Sequence, residues 1–272
     1  MKAAVFHGPN QPLKIEEWQT PTIKPHEVLV KVAACGVCHT DLHYIDHGVP
    51  TFKKPPLILG HEPSGIVAQV GKDVKNFKEG DRVLLPAVLT CGSCEFCRTG
   101  RENICSTMTM FGNNVDGAYA EYVAAPGKDI FHLPNEIPLE EGSIIADAIS
   151  TPYHAVKNRA EVRAGDTVVV FGCGGVGVNV VQVAAAFGGV VIAVDISDKK
   201  LEWAKKLGAI YTVNPTKVEN LGKEIKKMTG GGADIAIEAI GKPQTIEAAF
   251  GTLRKGGRLV VVGYSAEDIK LS

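Results

Sequence analysis

Apolar and polar positions follow two different rules along this chain, and the change falls near residue 150. In the first half, short valine-rich runs at 28–32, 65–70 and 81–85 are broken by glycine and proline. Alternating apolar residues bounded by turn formers predict antiparallel strands, here a partly open β-barrel. From Thr167 onward, strand-like runs at 167–171, 190–194, 210–213, 234–238 and 258–262 are separated by stretches of helical spacing. Those stretches are 175–187, 198–207, 217–228 and 243–254. Strand and helix in turn predict a parallel, doubly wound sheet, so the fold class is α/β with an antiparallel β domain in front. Pro152 and the charged stretch 157–163 put the boundary within 148–163, giving domains of 1–150 and 151–272.

At 272 residues the chain has room for two domains, and 45% hydrophobic with 22% charged residues is ordinary for a globular enzyme. A formal charge of −1 supplies no long-range field for nucleic acid or anionic lipid. The apolar run after Met1 breaks by Pro9, too early for a signal peptide, and no segment approaches the length that spans a bilayer. The expectation is a cytoplasmic protein with a small-molecule substrate and neither nucleic acid nor membrane as partner. The seven cysteines are clustered and odd in number. In a reducing compartment that pattern favours metal ligands, with a disulfide framework as the competing reading.

One glycine fingerprint stands in the right context. The run Thr167–Phe171 leads directly into Gly172-Cys173-Gly174-Gly175-Val176-Gly177, and an apolar helical stretch follows. Gly172 permits a tight turn, Gly174 lets backbone approach a pyrophosphate, and Gly177 lets helix pack close to strand. Gly175 and Val176 open the helix, whose N–H groups face the anion. Asp195 closes the next strand, where a carboxylate accepts hydrogen bonds from the adenosine ribose and repels a 2'-phosphate. NAD is therefore expected rather than NADP, with Lys200 a further cofactor contact on the following helix. Cys173 reads as a small buried residue.

Cys91, Cys94, Cys97 and Cys105 follow the spacing C-x2-C-x2-C-x7-C. Four thiolates this close can close a tetrahedral zinc site, leaving no position for substrate and hence a structural role. An iron–sulfur cluster is the alternative, but the bacterial ferredoxin run has three residues before its last cysteine and a proline after it, unlike the seven residues and Ser106 here.

A second set remains: Cys35-Gly36-Val37-Cys38-His39-Thr40-Asp41-Leu42-His43, followed later by Gly60-His61-Glu62-Pro63-Ser64-Gly65-Ile66-Val67. With the cysteine lobe and the glycine cradle, in this order over essentially the whole chain, it resembles the zinc-dependent medium-chain alcohol dehydrogenase family. The resemblance implies a GroES-like domain carrying the zinc lobe 91–105, then a Rossmann domain. It implies two zinc ions, one catalytic and one structural, and hydride transfer between a primary or secondary alcohol and NAD. Cys38 and His61 match two ligands of the catalytic zinc, and Glu62 a carboxylate that approaches the metal when ligands exchange. Asp41 matches the acid that orients the ligating histidine, Thr40 and His43 a proton relay, and His39 a pyrophosphate contact. Where such enzymes place a further cysteine, this chain reads Ala146-Asp147-Ala148. Zinc accepts aspartate oxygen, so Asp147 is expected as third ligand, a helix cap being the competing reading. The pair Cys35/Cys38 also forms C-x-x-C, a thioredoxin-like motif out of its usual context.

Family members normally continue past Ser272 with a sixth strand, part of a dimer contact and a return into the catalytic domain. Five strands are countable here, so the expectation is a C-terminally short chain whose full-length form is a homo-oligomer. Two competing functions stay open: a polyol or sugar dehydrogenase of the same family, and a non-catalytic NAD- and zinc-binding protein.

Overall fold

The computed structural model describes residues 1–271; Ser272, the last residue expected in the second domain, lies outside the described residues. The chain divides into two compact units, Met1–Asp147 and Ala148–Ser272.

In the first unit ten strands run in chain order: β1 Lys2–Phe6, β2 Lys14–Glu17, β3 Glu27–Cys35, β4 Leu57–Ile58, β5 Pro63–Val70, β6 Arg82–Leu84, β7 Val88–Leu89, β8 Thr109–Met110, β9 Tyr122–Pro126 and β10 Phe131–His132. One sheet has the order β10-β6-β5-β3-β9, a second β2-β1-β4, and β7 pairs with β8. The named pairings are antiparallel, as the alternation predicts. Along β9, Val123 and Ala125 are buried while their neighbours are half-exposed, the two-residue period of a sheet with one face on the core. Val28, Val30, Val67, Val83, Leu85 and Phe111 form that core.

The pairing of β3 with β5 prepares the chemistry. It shifts register twice and ends with Cys35 opposite Pro63. Because the strands are antiparallel, the segment leaving β3 and the segment entering β5 emerge side by side. Helix α1, His39–Asp46, starts on the first, and His61 and Glu62 sit on the second. Helix α2, Glu95–Arg98, lies in the cysteine lobe. Helix α3, Leu139–Gly142, runs into a 3-10 turn at Ser143–Ala146 that packs against β3, β5 and β6 and delivers Asp147.

The second unit opens with α4, Ser150–His154, continued by a π-turn at Ala155–Ala160. Its strands are β11 Thr167–Phe171, β12 Val190–Val194, β13 Tyr211–Val213, β14 Ala233–Glu238 and β15 Leu253–Val261. They form one parallel sheet, ordered β13-β12-β11-β14-β15. Val168–Val170 and Val191–Val194 are buried on both faces, which is why they read as unbroken apolar runs. The order reverses between β11 and β14, the switch point outside whose carboxyl ends ligands bind in open α/β sheets.

Helices α5 Gly175–Ala186, α6 Asp198–Lys206, α7 Leu221–Met228 and α8 Pro243–Gly251 complete the unit. Two differ from the helical spacing. The expected helix 217–228 begins only at Leu221, because Asn220 caps it through its side chain and Pro215–Lys217 form a separate 3-10 turn. The expected helix 243–254 stops at Gly251, because Leu253 and Arg254 already belong to β15. No helix among the described residues is long and apolar enough to cross a membrane.

Candidate metal centres and dinucleotide cradle

The outer lobe is built almost wholly from its own segment. Its sulfur–sulfur distances are 3.5 Å for Cys94–Cys97 and Cys91–Cys105, 3.8 Å for Cys91–Cys97 and 3.9 Å for Cys94–Cys105. A tetrahedron of zinc–sulfur bonds has edges of about 3.8 Å, so the four atoms fit one four-coordinate ion. A cluster of several irons and sulfides would force them farther apart. All seven cysteines are free thiols. Backbone N–H groups of Ser93 and Cys94 donate to Cys91 Sγ at 3.4 and 3.3 Å. Those bonds, with the Ser93 side chain and Cys105, hold its thiol down to about 5. Cys94 is lowered to about 7, chiefly by backbone N–H groups, while burial pushes Cys97 up to about 12. Gly92 and Gly100, both at φ +73°, make the turns.

The inner centre gathers residues far apart in sequence. Donor atoms of Cys38, His61, Glu62 and Asp147 all lie within 4.8 Å of one another. Cys38 Sγ is 3.7 Å and His61 Nε2 3.5 Å from Asp147 Oδ2. Tetrahedral zinc would set those separations at about 3.6 and about 3.4 Å, so this donor set also fits the ion. His61 is fully buried, and neither ring nitrogen has a hydrogen-bond partner. Burial alone would depress its pKa, but Asp147, Asp41 and Cys38 overcome that and raise it to about 12. The ring thus carries a proton on Nε2 at neutral pH, the place a metal ion held by the same donors would take. Ile149, not Asp147, stands at the N-cap of α4.

Asp41 is buried, and its partners explain the arrangement. Its carboxylate accepts from Cys38 N at 3.1 Å, as the third residue of a helix capped by Cys38, and from Gly60 N at 3.3 Å. Its Oδ1 lies 3.6 Å from His61 Nδ1. With a metal ion bound at Nε2, Nδ1 would keep the ring proton facing Asp41, and Nε2 already faces Cys38 and Asp147. Gly36 leaves room for Glu62: a Cβ there would fall 1.9 Å from Glu62 Oε2 and push that carboxylate out of its present position. Tyr119 escaped the sequence reading, yet its hydroxyl donates to Asp41 Oδ2 at 2.8 Å across 78 residues. Nothing local in 117–120 signals this.

Thr40 Oγ1 is 3.6 Å from Cys38 Sγ. Along α1 the rings of His39, His43 and His47 follow each other at 5.2 and 5.4 Å. Cys35 is only half-buried by exposed surface, yet desolvation, with Asp41 and Glu62 nearby, pushes its thiol up to about 12, the reverse of a reactive C-x-x-C pair. A cavity of about 640 Å3 lined in part by Trp18, His26, Thr90, Cys91 and Asp116 contains none of the inner donors, so volume alone would point away from the chemistry.

In the second unit, β11 turns at Gly172 (φ +87°), whose N–H donates to Val194 O at 2.8 Å. A Cβ on Gly177 would lie 1.7 Å from Gly172 O, so only glycine lets α5 start this close to the turn. Cβ atoms on Gly174 and Gly175 would meet nothing within 4 Å. Any side chain there would fill open space above the helix N-terminus, where a pyrophosphate fits. Asp195 is buried and accepts from Cys173 N and Ser197 N, both at 2.8 Å, tying the second strand to the glycine loop. Each oxygen keeps a lone pair for a further donor. Lys200 is exposed on the first turn of α6, and Cys173 is buried, as expected for a packing residue. Glu238, fully buried at the end of β14, was read only as a strand end. It accepts from Ile240 N, Gly241 N and Thr245 Oγ1 at 2.7–3.1 Å and so holds the loop that covers Gly172.

Comparison with known proteins agrees with this architecture. The profile of the alcohol dehydrogenase GroES-like domain matches residues 24–135, and that of the zinc-binding dehydrogenases matches 175–272. An alcohol dehydrogenase of Geobacillus stearothermophilus is 41% identical over 100% of this chain and 80% of its own length. A sorbitol dehydrogenase of Bacillus subtilis is 38% identical over 98% of this chain and 76% of its own. Among solved structures, a putative zinc-binding dehydrogenase of Sinorhizobium meliloti bound to NADP superposes with a TM-score of 0.90 at 30% identity, covering 100% of this chain and 79% of that one. Identity of this order across both units, on a GroES-like and Rossmann α/β fold, makes the chain a member of the zinc-dependent medium-chain alcohol dehydrogenase family.

Proposed function

We propose that the chain is an NAD-dependent dehydrogenase of primary or secondary alcohols, with a catalytic zinc held by Cys38, His61 and Asp147 and a structural zinc held by Cys91, Cys94, Cys97 and Cys105. The observation that carries the reading is the convergence of Cys38 Sγ, His61 Nε2 and Asp147 Oδ2 at separations suited to one tetrahedral ion. When bound, zinc supplies a Lewis acid for the substrate hydroxyl, and the nicotinamide supplies the hydride acceptor.

The chain's own residues do the rest. Cys38 and Asp147 each bring one negative charge, and Asp41 holds the His61 ring in the tautomer that presents Nε2. Glu62 stands beside them as a carboxylate able to enter when ligands exchange. Thr40 accepts the substrate's hydroxyl proton as it gives up its own, and His43, one helical turn on, takes the released proton toward solvent. Burial, then His39 and His47, hold His43 below the ordinary histidine value of 6.5, so it is neutral and able to accept near pH 7. His39 and Lys200 are proposed contacts of the dinucleotide, whose pyrophosphate rests on Gly172–Gly177. Asp195 favours NAD, since a 2'-phosphate beside its carboxylate would be repelled.

The 38% identity to a sorbitol dehydrogenase supports a second reading, a polyol dehydrogenase using the same residues. Zinc content together with an alcohol and polyol panel at matched NAD and NADP tests both readings. Two zinc ions per chain and NAD-linked oxidation are expected, and the preferred substrate separates the readings. Binding of NADH and zinc without hydride transfer to any alcohol or ketone would leave only a non-catalytic protein. A homo-oligomeric state is also proposed.

A further inference from the structure

We infer that Tyr119 is a positioning residue of the inner centre: its hydroxyl fixes Asp41, and through Asp41 the ligand nitrogen of His61, so that it sets how tightly the centre holds metal. The inference rests on the zinc reading of Cys38, His61 and Asp147 given above.

The direction of the hydrogen bond follows from counting. The phenol has one proton and two acceptors in reach, Asp41 Oδ2 at 2.8 Å and Gly36 O at 3.1 Å. A carbonyl cannot donate in return, and Asp41 already accepts two backbone N–H groups. Tyr119 is therefore a donor only, and the shorter, charged acceptor takes the larger share of its proton. Asp41 then holds three donors. A buried carboxylate needs them, because an oxygen taken out of water without a donor costs free energy. Losing the phenol would free Oδ2 to turn, which weakens the hold of Oδ1 on His61 Nδ1, the contact that directs Nε2 inward.

Tyr119 also touches both arms of the centre. Its hydroxyl meets Gly36, two residues before Cys38, and its ring lies where a Cβ of Gly60 would be, 2.6 Å away. Gly60, at φ +93°, directly precedes His61. The tyrosine backbone is itself pinned, its N–H donating to Leu59 O at 2.9 Å and its carbonyl accepting from Ala4 N at 2.7 Å. The phenol thus comes from rigid structure and spans the two segments whose alignment the ligands require.

Tyr119→Phe removes one oxygen and keeps the ring over Gly60. Zinc affinity of the inner centre, read by chelator competition on the whole chain, is expected to fall severalfold, less than the about 10–100-fold cost of removing a ligand's own hydrogen-bond partner. The outer lobe serves as internal control and should keep its zinc. Asp41→Asn should weaken the inner centre as well, and Tyr119→Phe added to it should cost little more. Inner zinc affinity within twofold of the parent in Tyr119→Phe, or full additivity with Asp41→Asn, overturns the inference while the zinc reading stands. A parent whose zinc content is unchanged by Cys38→Ser overturns the centre and the inference together.

Discussion

The outer lobe and the inner centre solve one problem, gathering anionic donors around a small volume, by opposite means. In the lobe four cysteines lie within fifteen residues, and the chain's own amides steady the thiolates, as at Cys91. Cys91 is exposed, and among the described residues the bonds to the four sulfurs come from the segment 91–105 itself and from the adjoining Ser106 and Thr107. In the inner centre, Cys38 and Asp147 are 109 residues apart, and the donors meet only because β3 and β5 pair and the turn after α3 packs beside them. Local amides do not suffice there. A further layer, Asp41 held by Gly60 and Tyr119, orients the buried histidine. A lobe organised by its own segment can fail alone, whereas a centre organised by tertiary structure registers any change in the strands and side chains that assemble it.

The largest expected effect breaks the inner centre directly. Cys38→Ser should remove one zinc per chain and lower kcat/KM by roughly 10^3-fold or more, since Lewis-acid stabilisation is worth several kilocalories per mole. NADH affinity, read by nicotinamide fluorescence, should hold. Turnover equal to the parent would remove zinc from the mechanism. The complementary break is Cys97→Ser in the lobe. It should also remove one zinc, but turnover per folded molecule should stay near the parent's. The loss should appear as faster hydrogen exchange within 91–105, and a cost of about 2–4 kcal/mol would lower Tm by roughly 5–15 °C. Inner zinc lost together with lobe zinc would show that the two are not independent.

That difference also explains what could be read in advance. The lobe is legible from spacing, because four cysteines in one loop leave a pattern in the letters themselves. The sheet of the second unit is legible for a similar reason: β11 and β12 are buried on both faces and read as unbroken apolar runs. Its helix ends were less so. Asn220 and Pro215 split one helical stretch, and Leu253 joined β15 rather than α8, because side-chain capping and strand pairing outweigh periodicity. For the inner centre, Cys38, His61 and Asp147 were named through a family likeness, since no spacing rule links residues brought together by strand register. Tyr119, Gly36 and Glu238 had no signal at all. Each acts through a contact that exists only once the chain has folded.

Asp147 is the donor on which the family likeness and this chain part, so the next test sharpens the comparison there. Asp147→Asn keeps the shape and removes the charge, and inner zinc affinity should fall by at least about 10–100-fold. Asp147→Cys restores an anionic ligand and should recover part of that loss, whereas the lobe should ignore both changes. Unchanged zinc and turnover in Asp147→Asn would return the residue to a local structural role.

The smallest expected effect concerns traffic out of the inner centre, a problem the closed lobe does not have. His43 is held below 6.5 by burial first and by His39 and His47 after it. As pH falls through that depressed value the ring gains a proton and can no longer accept one, so alcohol oxidation should slow. As pH rises through it the rate should climb and then level off. His43→Gln should flatten that acid limb and cost roughly tenfold, less than the 10^2-fold of direct acid–base catalysis, because buffer can replace a group near solvent. Added imidazole should restore much of the rate in the glutamine variant and none in Cys38→Ser. An unchanged acid limb in His43→Gln would place the titrating base elsewhere, with Thr40 delivering its proton by another route.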